Sequence, residues 1–125
     1  MNLVFKTALE QGRLLRSRQI SARELLAVCL DQYALHNAKI NAVVVTDLVR
    51  AKQAANAADK RLKRGESLSA FDGVVMTVKE SFDWVGTPST WGDPALKDNR
   101  PVVDAVAVQR MTEAGAVIYG RPMCL

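Results

Sequence analysis

A lysine closes an apolar run in the stretch GVVMTVKESFDWVGTPSTWGDPAL, residues 73–96. Two fates are open to such an amine. Its stem can lie along apolar neighbours while the ammonium reaches water, or the amine can be dried until it works as a base. The second fate needs a neutral lysine, whose unperturbed pKa is about 10.4 and which burial lowers. Strand alternation puts Val75, Thr77 and Lys79 on one face and Val74, Met76 and Val78 on the other. The same alternation turns Glu80 away from Lys79, so the carboxylate does not tie up the amine as an ion pair. Ser81, Ser89 and Thr90 lie nearby in sequence, but none has a base at nucleophile-activating spacing, and they read as loop and turn hydroxyls. Pro88 in GTPST fixes a turn. Trp84 and Trp91 read as cover for the core, where aromatic area is usually spent.

The other residues that could do chemistry read as structural. His36, the sole histidine, falls near a predicted helix end, where a cation or capping donor is welcome. Cys29 and Cys124 are too few and too far apart for a disulfide framework or a zinc site, and Cys29 sits in an amphipathic pattern as a small core residue. The densest basic cluster, Lys60, Arg61, Lys63 and Arg64, fits a solvated helix C-terminus stopped by Gly65. Without aromatic side chains beside it, that cluster does not call for nucleic acid. At 125 residues, 49% hydrophobic and 24% charged with net charge +4, the chain has the composition of about one globular domain. It has neither the apolar stretch of a leader nor that of a membrane span, so a reducing, cytoplasmic setting is the expectation.

These residues need elements to position them. A first helix is predicted around residues 5–16. Ser21 and Glu24 form a capping box for a second, with Leu25, Leu26, Cys29, Leu30 and Tyr33 on one face and its end near His36 and Asn37. INAVVVT is a strand or an extended connector. Asp47 caps a third helix whose stripe is Leu48, Ala51, Ala55, Ala58 and Leu62. GVVMTVK reads as a strand apolar on both faces. A long Gly- and Pro-rich loop follows, of the kind more often functional than decorative. Asp104 should cap a fourth helix carrying Ala107, Val108, Met111 and Ala114 and ended by Gly115, and AVIYG is a further strand. Residues 1–65 thus form a helical region, and residues 66–125 a strand–loop–helix–strand unit with a parallel, right-handed crossover. With no closing element after Gly120, the sheet is expected to continue beyond these residues and the chain alone to self-associate through exposed core surface.

The long stretch above, followed by DAVAVQRMTEAGAVIYGRP, resembles the amidase signature family of amide hydrolases in order, spacing and residue type, and ISARELLAVCLDQYALHNAKINAVV resembles its N-terminal helix and connector. The resemblance covers nearly the whole chain. It implies an α/β fold: N-terminal helices plus the first strands of a mixed, mostly parallel sheet in an α/β/α sandwich, all one incomplete domain over residues 1–125. It also implies that Lys79 matches the lysine of a Ser–cis-Ser–Lys triad, with a small-molecule amide as substrate and neither metal nor other cofactor. A nucleophilic serine would attack the amide carbonyl, and a second serine would relay its proton to Lys79. Both serines and the Gly/Ser-rich tract around them would lie downstream, so the chain alone is expected to be inactive. Where the family commonly reads Gly-Lys-Thr-Asn, this sequence has GRPM, and Pro122 brings no backbone donor. A non-catalytic binding or regulatory module is the alternative reading. A further one is a protein like the tRNA-dependent amidotransferase member of the same family.

Overall fold

A computed structural model describes residues 2–123. Four helices, α1 (Ala8–Arg16), α2 (Ala22–Ile40), α3 (Leu48–Lys63) and α4 (Val106–Glu113), combine with strands β1 (Val43–Thr46), β2 (Val75–Thr77) and β3 (Val117–Pro122). Short 3₁₀ turns occupy Leu3–Phe5 and Pro94–Leu96. Cys124 lies outside the described residues.

The helix starts follow local chemistry. Thr7 with Glu10, and Ser21 with Glu24, each complete a capping box at the first turn of α1 and α2, satisfying amides that have no partner within the helix. Asp47 Oδ1 accepts from Arg50 N at the start of α3. The second helix runs past His36 to Ile40. Asn37, rather than ending it, uses its amide to bind both the N–H and the carbonyl of Val43 at 2.9 Å, and Asn41 closes the helix in the left-handed region at φ 47°. The helix and β1 are therefore joined by one side chain. His36 is exposed.

The sheet order is β1-β3-β2, with β3 antiparallel to β1 and parallel to β2. Side chains leave β3 alternately to its two faces. Val117 and Tyr119 pack with α1, α2 and α3, where Leu15, Leu25, Ala51, Ala55 and Ala58 are buried. Small alanines let α3 lie close to its neighbours. Ile118 on the other face meets Trp84 and Val108, with Met76, Val78 and Ala105 around them. Helices on one face, and α4 with the long loop on the other, make the α/β/α layering expected.

Besides the end of α2, three elements depart from expectation: β2 is confined to Val75–Thr77 instead of spanning GVVMTVK, and α4 and β3 differ as follows. Asp104 does not cap α4: the N-cap is Ala105, without a side-chain bond, and Asp104 Oδ1 accepts instead from Val85 N at 2.7 Å. Ala107 is consequently exposed, and Val108 is the buried residue of that helix. The last strand also runs on through Arg121 and Pro122. Pro122 still contributes its carbonyl, which accepts from Glu80 N at 3.0 Å, so the missing donor does not end the pairing.

One buried ion pair ties the helical region to the strand unit. Asp72, 1% exposed, accepts two bonds from Arg61 at 3.0 and 2.7 Å and one from Leu68 N at 3.0 Å. Its carboxylate holds the Arg61 guanidinium above its ordinary value. Part of the basic cluster is thus structural rather than solvated. Gly115, at φ +91°, faces this pair, and a Cβ there would lie 2.2 Å from Asp72 Oδ1. Only glycine fits.

Candidate active site at the end of the parallel strands

Two cations end apolar runs on neighbouring strands: Lys79 follows Val78, and Arg121 follows Gly120. Because β2 and β3 are parallel, both stand at the same, carboxyl-terminal end of the sheet, where α/β folds assemble their sites. Backbone pairing continues past the last residue of β2. Val78 N donates to Gly120 O at 3.1 Å, Glu80 N to Pro122 O at 3.0 Å, and Phe82 N turns back to Lys79 O at 3.0 Å. The Lys79 backbone is therefore pinned on either side by β3 and in front by a turn.

The side chains are distributed differently from the sequence expectation. Lys79 is exposed, while Glu80 is buried at 3%. The reason lies in the loop. Glu80 turns inward because its carboxylate receives the amides of Thr90 and of Trp91, the latter at 2.8 Å, and the loop folds over that side. Lys79, pointing the other way, is left facing an open surface. As alternation predicts, the Lys79 amine and the Glu80 carboxylate do not pair.

Arg121 is the fully buried cation, at 0% exposure. Its Nη1 donates to Thr87 Oγ1 at 2.8 Å and to Pro88 O, and its Nη2 to Glu80 O, to Phe82 O and to Ser89 Oγ at 3.2 Å. Among the described residues, Nε has no partner. Burial lowers the guanidinium's pKa, while the charges of Glu80 and Asp83 oppose that shift. A planar group with five donors thus gathers carbonyls and hydroxyls from both ends of residues 80–89.

More bonds hold the rest of the loop. Arg50 lies 4.1 Å above the Trp84 ring and donates to Val85 O at 2.8 Å, while Ser89 and Asn99 exchange bonds of 2.9 and 2.8 Å. Trp84 is buried cover, as expected, but Trp91 is 60% exposed. Of the hydroxyls read as loop and turn formers, Thr90 Oγ1 accepts from Gly92 N within the turn, and Ser89 Oγ accepts from Arg121 across the chain. Burial pushes the Cys29 thiol up, in keeping with a core role. No three His, Cys, Asp or Glu side chains among the described residues gather as metal ligands, and no helix there is long and apolar enough to cross a membrane. A groove of about 360 Å³ between α2 and α3, lined by Arg23, Leu26, Ala27, Leu30, Lys52 and Asn56, lies on other elements than the strand ends and contains none of their residues.

Sequence reasoning passes over Arg121, and of Glu80 it reads only that the side chain turns away from Lys79. The signal is present in VIYGRP, where a charge interrupts an apolar strand, but in GRPM it is the proline that stands out.

Known proteins share this fold and much of this sequence. The family model described as Amidase matches residues 24–123. Over 114 residues the chain is 39% identical to an indoleacetamide hydrolase of Bradyrhizobium diazoefficiens, covering 91% of this chain and 22% of that protein. Over 120 residues it is 35% identical to a glutamyl-tRNA(Gln) amidotransferase polypeptide of Acidothermus cellulolyticus, covering 96% and 24%. The solved structure of a bacterial aryl acylamidase of the amidase signature family superposes with a TM-score of 0.86 at 30% identity, over 95% of this chain and 25% of that one. The chain spans about a quarter of the length of these relatives. From the first turns of α2 to the end of β3, order, fold and residues agree: this chain belongs to the amidase family.

Proposed function

We propose that Lys79 is the proton acceptor of an amide-hydrolysing site, acting on the C–N bond of a small carboxamide through a serine acyl-enzyme. The observation that carries this reading is the pinned backbone of Lys79: β3 holds it from both sides, at the end of a parallel strand pair, beside a loop ordered by buried charges. A lysine accepts a proton only in its neutral form, which burial favours. The open face over Lys79 is therefore where a covering surface has to lie, and the relatives, about four times as long, have chain enough to provide one. The nearby Thr87 and Ser89 hydroxyls are engaged in loop bonds, and we assign the nucleophilic serine and the relaying serine to the part of the relatives that this chain does not match. Backbone amides near that nucleophile would hold the oxyanion. The chemistry needs no metal and no cofactor, and we place it in the cytoplasm.

The test is a chimera in which this chain replaces the matching first quarter of the indoleacetamide hydrolase. The 125-residue chain alone should release no ammonia from indoleacetamide. The chimera should turn over, and Lys79→Ala should lower its rate by roughly 10²- to 10⁴-fold, the usual worth of a positioned acid–base group. A Lys79→Ala chimera with undiminished kcat would overturn the assignment.

A second reading, part of a glutamyl-tRNA(Gln) amidotransferase, is favoured by the 35% identity to such a protein over 96% of the chain. It predicts that this chain, replacing the matching first quarter of that amidotransferase polypeptide, sustains ammonia release from glutamine. No release from glutamine would count against it.

A further inference from the structure

We propose that Arg121 is a positioning residue for Lys79: its buried guanidinium sets the direction in which the lysine leaves the sheet. The proposal rests on Lys79 as the base and adds the device that aims it.

Arg121 sits on β3 between Gly120 and Pro122, the two residues whose carbonyls hold the amides on either side of Lys79. From that point its side chain reaches the carbonyls of Glu80 and Phe82, immediately beyond the lysine, and then Thr87, Pro88 and Ser89 at the far end of the turn. Backbone and side chain of adjacent β3 residues therefore grip the same short segment. Glu80 completes the clamp by holding Thr90 and Trp91. Lys79 and Glu80 lie beyond the last residue of β2, and Glu80 begins the turn; holding that turn by the carbonyls of Glu80 and Phe82 fixes the backbone from which Lys79 projects.

The choice of an arginine follows from its surroundings. Carbonyls left without donors away from water are costly, and here the guanidinium serves the buried one of Glu80 and the partly buried ones of Phe82 and Pro88. The four N–H donors on Nη1 and Nη2 reach them from one planar group, whereas an ammonium offers three donors on a point charge. Among the described residues no carboxylate lies within ion-pair distance of the guanidinium, so its donors are spent on loop geometry rather than on charge neutralisation.

The test uses the chimera with the indoleacetamide hydrolase described above, its cysteines changed to Ser, so that a nitroxide can be attached at Lys79→Cys or, as a control, at Lys52→Cys on α3. Amide exchange is followed in parallel. In Arg121→Met, exchange over residues 79–91 should rise roughly tenfold or more, the factor carried by one lost buried hydrogen bond. The spin-label spectrum at 79 should sharpen to that of a mobile side chain, while the label at 52 and exchange in α2 and α3 stay unchanged. Arg121→Lys should restore part of the order at 79. An unchanged spectrum at 79 in a loosened loop would overturn the proposal, as would a loss of protection spread evenly over all helices. If Arg121→Met yields no folded protein, Arg121→Lys decides: order at 79 equal to that of the chimera with Arg121 overturns the proposal, and intermediate order supports it. Neither readout involves turnover, so a chimera indifferent to Lys79 would remove the base and leave this measurement standing.

Discussion

The helical region and the strand-end loop are held in opposite ways. In α1, α2 and α3, the bonds that close each helix start join residues three apart: Thr7 with Glu10, Ser21 with Glu24, Asp47 with Arg50. The apolar stripes then bring the helices together. In the loop, the bonds that matter cross the chain: Arg121 to Glu80, Arg50 to Val85, Asp104 to Val85. Of these, Arg121 and Glu80 are buried. Losing a local cap leaves a frayed end that water can satisfy. Losing a distant buried partner leaves a charge or carbonyl that water cannot reach. The difference teaches that the candidate site depends on its cross-chain bonds far more than the helices depend on their caps.

The largest test of that contrast is Asp72→Ala, which strands the Arg61 guanidinium at the join of the two regions. Removing one partner of a buried pair costs about 3–5 kcal/mol. Arg61 is partly exposed, so the lower end, about 3 kcal/mol, is expected in urea unfolding. Ser21→Ala deletes only a local cap and should cost about 1 kcal/mol, since Asp59 still accepts from Ala22 N at 2.6 Å and Arg23 N at 3.3 Å. Equal costs for the two variants would erase the contrast.

The smallest effect is that of pH on the capping boxes. Bonds from Thr7 and Ser21 hold Glu10 and Glu24 below the ordinary carboxylate value of 4.5. A carboxylate lowered in the folded state contributes stability above its ordinary value and loses it as pH falls through the lowered one. Far-UV circular dichroism should therefore show helix content easing below pH 4.5, and Glu24→Gln should flatten part of the change. Both groups are exposed, which keeps the effect slight.

Particular residues show what is legible beforehand. The capping box at Ser21, the alanine stripe of α3 and the Gly115 stop each depend on neighbours within a few positions, and all three are present as read. The end of α2 is not legible, because Asn37 finds its partner on β1 rather than in its own helix. Asp104 has the residue type and place of a cap, yet Val85, 19 residues away, takes its oxygen. Lys79 stands out through family resemblance, and its place at a strand end is as read, but its exposure is not.

Sequence alone determined the element order, the parallel β2–β3 unit and the family, since periodicity, caps and ordered motifs are properties of short stretches. Only the tertiary structure decided which of two similar cations would be buried. Lys79 and Arg121 both end apolar runs, and nothing local separates them. The loop does so by bringing its carbonyls and hydroxyls to Arg121 and its amides to Glu80, and desolvating a charge is tolerable only where such partners converge.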